Sequence, residues 1–140
     1  MKKSSKGKAH ATWKRSPCPV ANTLDILGDK WTLLVVRDLL LGCKTYGEFA
    51  ASPEGIPTNI LAERLKRLVN AGLVTKQQYQ ARPVRYAYTL TDKGRALGPV
   101  LRAMVKWAST HIPGTYTLEE IKQLIAASPG GSGKSGGGAS

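Results

Sequence analysis

Between residues 58 and 71, apolar side chains recur every three or four positions, at Ile60, Leu61, Leu65, Leu68 and Val69. Asn59, Glu63, Lys66, Arg67 and Asn70 fall on the opposite side. A period of roughly 100° per residue is that of a helix. Pro57 and Thr58 stand at its start, where a missing N–H costs nothing and a hydroxyl can cap. Gly72 stands past its end, where a left-handed residue is wanted. The pattern predicts a helix with an apolar back and a polar, mostly basic front.

The flanking pattern gives this helix a setting. Val20–Leu27 predicts a short helix, with Val20, Leu24 and Leu27 on one face and Gly28 as its stop. Asp29 is placed to cap a helix from Lys30 to Leu41, which is apolar nearly all round and is therefore the predicted central buried helix. Thr45 and Glu48 have the spacing of a capping box over a third helix that ends near Ala51. A turn at Ser52–Gly55 then leads into the basic helix, completing a helix-turn-helix. Beyond it the period becomes two. Leu73–Tyr79 and Val84–Leu90 read as strands joined by a turn at Gln80–Pro83, with Val84, Tyr86, Tyr88 and Leu90 on one face. Thr91 or Asp92 caps a predicted long helix from Lys93 to Thr110, and a last helix covers Leu118–Ala127. Trp31, Met104 and Trp107 are expected to pack in the core. This order predicts a mainly α fold with a small β-hairpin wing, an α+β winged helix-turn-helix.

Charge points to a partner. The 140 residues carry 21 basic and nine acidic side chains, a formal net charge of +12. Lys2, Lys3, Lys6, Lys8, Lys14 and Arg15 fall within residues 1–15 with no acid among them. Both this arm and the moderately basic folded part favour a polyanion such as nucleic acid, double-stranded DNA if the helix-turn-helix reading holds, against the bland alternative of an arm that only aids solubility. Residues 1–15 read as a disordered basic arm, 16–128 as one domain and 129–140 as a disordered Gly/Ser-rich tail. The longest apolar run, Leu33–Leu41, is interrupted by Arg37 and Asp38, and no targeting segment is evident, so no membrane partner is expected. Two cysteines suit a reducing compartment, and the expected location is cytoplasmic and nucleoid-associated. His10 and His111 stand apart and no phosphate-cradling loop follows a strand, so no catalysis, metal or cofactor is expected.

Individual side chains take roles from their places. Thr58 and Asn59 lie at the N-terminal end of the basic helix, the end that enters the groove in helix-turn-helix docking. Asn can bond adenine through two hydrogen bonds, and Thr can meet a thymine methyl or a phosphate, with a plain capping role for Thr58 equally open. Lys66 and Arg67 are placed for phosphates. Arg64, at the border of the apolar face, either reaches DNA or braces the turn. Arg82 at the hairpin tip suits the minor groove and Arg85 a phosphate, against the bland alternative of a solvated tip. Thr45 and Tyr46 open a helix whose N-terminus suits an anion. Cys18, between two prolines and near Lys14 and Arg15, is a candidate redox site, or else a small packing residue. The residues alone also leave room for a sequence-tolerant nucleic-acid-binding module or a winged helix that serves protein contacts.

Several blocks occur together: Cys18-Pro19-Val20, Gly28-Asp29-Lys30-Trp31, Gly55-Ile56-Pro57-Thr58-Asn59-Ile60-Leu61 and Tyr86-Ala87-Tyr88-Thr89-Leu90-Thr91. In these blocks residues 18–110 resemble the HxlR family of bacterial transcription regulators, a branch of the MarR-like group. The resemblance implies a dimeric DNA-binding repressor or activator, joined through its N- and C-terminal helices. It also implies a link to redox and electrophile sensing at the position of Cys18. The resulting expectation is a homodimeric, sequence-specific regulator, acting as a repressor on a pseudo-palindromic operator and answering to a small-molecule or oxidant effector.

Overall fold

A computed structural model describes residues 15–127. The arm up to Lys14 and the tail from Ser128 lie outside the described residues. Along the chain run α1 (Pro19–Leu27), α2 (Thr32–Leu40), α3 (Tyr46–Ala50), α4 (Thr58–Asn70), β1 (Val74–Ala81), β2 (Val84–Leu90), α5 (Asp92–Arg95), α6 (Gly98–His111) and α7 (Leu118–Ala127). This is the winged-helix order that the pattern predicts.

The core gathers around α2, which buries Thr32, Val35, Val36, Asp38 and Leu39. Phe49 of α3, Leu61, Leu65 and Leu68 of α4, and Val74, Tyr88 and Leu90 of the hairpin close over it. Each fully buried leucine or phenylalanine contributes roughly 1.5–3 kcal/mol relative to exposure. The helix starts later than predicted because the Asp29 carboxylate holds a turn, accepting from the Trp31 N–H at 2.9 Å and the Thr32 N–H at 3.1 Å. It is not buried all round either, since Leu40 faces solvent and Leu33 and Leu34 are half-buried.

Helix α3 carries the predicted capping box, in which Glu48 N–H donates to the Thr45 hydroxyl and the Glu48 carboxylate accepts from Thr45 N–H. In α4 the expected hydroxyl cap is absent. Pro57 occupies the cap position and Thr58 is the first helical residue. Gly72, at φ +78°, takes the left-handed conformation that turns the chain into β1.

The hairpin is antiparallel, with Val74 opposite Leu90 and Ala81 opposite Val84. Gln80 and Ala81 continue the ladder, so the turn is shorter than predicted and consists of Arg82–Pro83, whose peptide bond is cis. A register shift between Gln78 and Gln80 bulges the strand at Tyr79. Only the base of the predicted apolar face is covered. Tyr88 and Leu90 are buried, while Val84 and Tyr86 extend beyond the core and are exposed.

The chain returns from the hairpin to the point it left. Thr91 N–H donates to Leu73 O at 3.0 Å, and the Thr91 hydroxyl donates to Gly72 O at 2.7 Å. Lys93 Nζ donates to Ala71 O at 2.9 Å. Gly94 is required beside them, because a Cβ there would lie 2.1 Å from Leu73 O.

The predicted long helix is two helices. Pro99 has no N–H to donate back to Arg95, so the helical ladder stops at α5 and restarts with proline in the first turn of α6. Helix α6 packs inward through Leu101, but Met104 is 49% exposed and Trp107 61% exposed. The expectation that these two are core is therefore corrected. Trp31 is half-buried. Helix α7 opens with a second capping box, Thr117 with Glu120, and rests Ile121 on the core.

Candidate nucleic-acid interface

Helix α4 turns its leucines inward and leaves Thr58, Asn59, Glu63, Lys66 and Asn70 exposed. Asn59 and Lys66 make no side-chain hydrogen bond or ion pair among the described residues. The two arginines behave differently. Arg64 Nε donates to Asp29 Oδ2 at 2.8 Å, its guanidinium also pairs with Glu63, and its side chain is only 15% exposed. Of the two roles read for Arg64, the structure shows the brace. Its charge is engaged by two carboxylates. Arg67 lies 3.3 Å from the Glu63 carboxylate and 3.7 Å from that of Asp29, and remains partly exposed.

Asp29 is thus the fixed point beneath the basic face. Burial alone would raise its pKa. Hydrogen bonds from the Thr32 hydroxyl, Arg64 and the N–H groups of Trp31 and Thr32 outweigh burial and hold the carboxyl well below the usual carboxylate range. The carboxylate that caps the turn before α2 thereby also fixes the angle of α4.

A second brace, which the sequence showed only as an interruption of an apolar run, holds the segment leading into α4. Arg37 donates to both carboxylate oxygens of Glu54, at 2.9 and 2.8 Å, and to the Ser52 hydroxyl at 2.8 Å. Its Nε donates to Asp38 at 2.9 Å. Burial pushes the Asp38 carboxyl up, against the opposing pull of Arg37. Glu54 is held below its ordinary value, chiefly by the Arg37 hydrogen bonds.

In the wing, Arg82 sits at the turn and Arg85 on β2, both exposed and without an ion pair among the described residues. Gln80 Nε2 donates to the carbonyls of Arg82 and Pro83, at 3.3 and 3.2 Å, and so fixes the tip. Lys76, absent from the sequence-based candidates, lies with its ammonium 4.2 Å above the Tyr86 ring and adds a third cation to this strand pair. The wing is tied to the helix-turn-helix where Tyr88 N–H donates to Lys44 O at 2.8 Å.

Residues 26–116 match the HxlR-like helix-turn-helix family. The chain belongs to the HxlR family of transcriptional regulators. It is 38% identical over 100 residues to the HTH-type transcriptional regulator YvaP of Bacillus subtilis, covering 71% of this chain and 93% of that one. It is 34% identical over 94 residues to the regulator Rv3095 of Mycobacterium tuberculosis, covering 67% of this chain but 59% of that longer protein. Among solved structures, the reduced form of the redox regulator HypR superposes with a TM-score of 0.63 at 30% identity, covering 69% of this chain and 95% of that chain.

Two other sets of sequence-based candidates stand differently in this HxlR fold. At Thr45 and Tyr46, the Glu48 carboxylate already accepts from Lys44 N–H at 2.6 Å and Thr45 N–H at 3.1 Å. The helix end expected to take a phosphate therefore carries its own anion. Tyr46 stands with its ring centroid 6.2 Å from that of Tyr88. Cys18 is exposed at the cap of α1, its N–H donating to the Ser16 hydroxyl at 3.1 Å. Arg15 nearby is paired with Asp25 at 2.7 Å. Cys43 is buried, and burial, reinforced by the charges of Asp38 and Glu48, pushes its thiol up to about 12, which leaves it inert at neutral pH. Among the described residues, no group of His, Cys, Asp and Glu side chains is arranged to hold a metal, and no helix is long and apolar enough to cross a membrane.

Proposed function

We propose that this HxlR regulator is a homodimeric, cytoplasmic repressor that reads a pseudo-palindromic operator with one α4 from each copy in successive major grooves. Thr58 and Asn59 address base edges. Lys66 and the outer edge of Arg67 hold phosphates, Arg82 enters the flanking minor groove and Arg85 meets the backbone beside it. The observation that carries this reading is the exposed Asn59 and Lys66 on a helix whose back is buried and whose angle Asp29 fixes through Arg64. A second copy is supported by apolar side chains left in solvent on α1 (Val20, Leu24) and α6 (Val100, Met104, Trp107). Repression is the sign expected of a dimer that covers its site until an effector releases it. Oxidation of Cys18 is the proposed release signal, supported by its exposure and by the likeness to a protein named a redox regulator.

Duplexes selected by the protein from a random pool supply the test. Asn59→Ala should relax preference at one base pair of each half-site, whereas Lys66→Ala should weaken all sequences and reduce the salt slope by about one. Unchanged operator affinity after changing Asn59 and Arg82 together would refute the assignment. Diamide should reduce operator binding in the native chain and not in Cys18→Ser; equal responses remove Cys18 from the mechanism.

A further inference from the structure

Helix α4 presents one stripe to solvent, formed by Asn59, Glu63, Lys66 and Asn70 at helical spacing. Glu63 is the only acid in that stripe. Its side chain is 51% exposed, so packing does not call for it. A bare carboxylate on a face that meets DNA would be repelled by the phosphates.

The carboxylate is not bare. One of its oxygens pairs with Arg64, and the other lies 3.3 Å from the Arg67 guanidinium. Asp29 holds the same two arginines from behind, Arg64 at 2.8 Å and Arg67 at 3.7 Å. Two acids and two guanidiniums thus form a closed ring, with Asp29 at its inner end and Glu63 at its open end. Stability alone needs no such outer member, because Arg64 already has Asp29 and an exposed pair such as Glu63 with Arg67 contributes little. The ring instead fixes where a carboxylate stands and neutralises it against phosphate. Each carboxylate oxygen can take two hydrogen bonds, so Glu63 remains free to accept more.

In the major groove two base groups donate, cytosine N4 and adenine N6. Adenine carries its N7 acceptor beside N6, which repels the second carboxylate oxygen, whereas cytosine presents N4 alone. Guanine and thymine turn acceptors toward a carboxylate and leave it desolvated without a bond. The four residues from Asn59 to Glu63 rise about 6 Å, which sets the two side chains within about two base pairs of each other. We propose that Glu63 is a specificity-determining residue that accepts from the N4 amino group of a cytosine in each half-site, its carboxylate positioned by Arg64 and Arg67. It selects as much by rejecting acceptor-bearing bases as by attraction. This assignment rests on the reading of α4 as the helix that enters the major groove.

The test lets the native chain, Asn59→Ala, Glu63→Gln and Glu63→Ala each select duplexes from a random pool, followed by titration of the selected duplexes. The native chain should select cytosine at one fixed position of each half-site. Changing that C·G pair to T·A should weaken native binding about tenfold and leave Glu63→Ala binding both duplexes equally. Glu63→Gln should move the preference at that position to adenine, whose N6 and N7 match the donor and acceptor of an amide. Every other position, and thermal stability, should be unchanged in both variants. A residue that only braces the helix has no means of exchanging one base for another.

An equal C·G to T·A penalty in the native chain and Glu63→Ala overturns the assignment, as does cytosine retained at that position by Glu63→Gln. Loss of preference at every position in Glu63→Ala makes Glu63 a brace and also overturns it. If Asn59→Ala alters the selected bases and neither Glu63 variant does, α4 still reads DNA and the cytosine contact alone fails. If none of the three variants alters them, or the native chain selects no sequence, the reading of α4 fails and the contact with it.

Discussion

Helices α4 and α6 are of similar length and both carry an apolar stripe at helical spacing, yet they meet different fates. In α4, Leu61, Leu65 and Leu68 are all but inaccessible, covered by α2, α3 and the hairpin. In α6 the only residue fully buried is Gly98, and Val100, Met104 and Trp107 stand in solvent. Periodicity reports that a face is apolar and is silent on what covers it. The cover for α4 comes from its own chain, so its polar side can be held at a fixed angle by Asp29. The cover for α6 is left to be supplied, which fits a helix that joins copies.

The two helices should therefore respond to substitution in opposite ways. The largest effect is expected at the covered stripe. Leu65→Ala should cost about 2–5 kcal/mol of unfolding free energy, read as a lower urea midpoint at unchanged slope. Met104→Asp should leave the stability of a single chain within about 0.5 kcal/mol, as surface changes do. It should weaken self-association at least about tenfold by sedimentation, and a stability loss as large as that of Leu65→Ala would place Met104 in a core after all. Next comes the polar flank of α4. Because the Asp29 carboxyl is held below its ordinary value of 3.8, the stabilisation it gives is complete above that value and is lost as pH falls toward its folded value. The stability gap between the native chain and Asp29→Asn should be constant near neutrality and shrink on acidification below about pH 4; a gap that widens there would contradict the bracing role. Smallest is the wing. Arg82→Ala should reduce the salt slope of DNA binding by about one with no change in thermal stability.

Much of this architecture can be read along the chain. The capping box at Thr45 and Glu48, the stop at Gly72 and the alternation in Val84–Leu90 are local signals, and each element they predict is present. The errors arise where distant parts of the chain decide. The border position of Arg64 could be read along the chain, but its ion pair with Asp29, far away in sequence, could not. Arg37 and Asp38 looked like a flaw in an apolar helix until Glu54 and Ser52 gave them partners. Pro99 did carry a signal, the missing N–H that divides α5 from α6, but the apolar rhythm running through it suggested one helix.

The wing leaves and rejoins the body at one place, where Thr91 and Lys93 hold the carbonyls of Ala71, Gly72 and Leu73. Residues 74–90 are therefore a stitch pulled closed at its base. Only Val74, Tyr88 and Leu90 of the stitch anchor it in the core, and the backbone bond to Lys44 lies at that same base. Lengthening a loop beyond such a knot adds little closure entropy, about 0.6 kcal/mol per doubling. The tip can thus be shortened, extended or exchanged while α4 keeps its place. On the proposed reading of α4 and Arg82, grafting tips changes operator preference and leaves the helix that reads bases untouched.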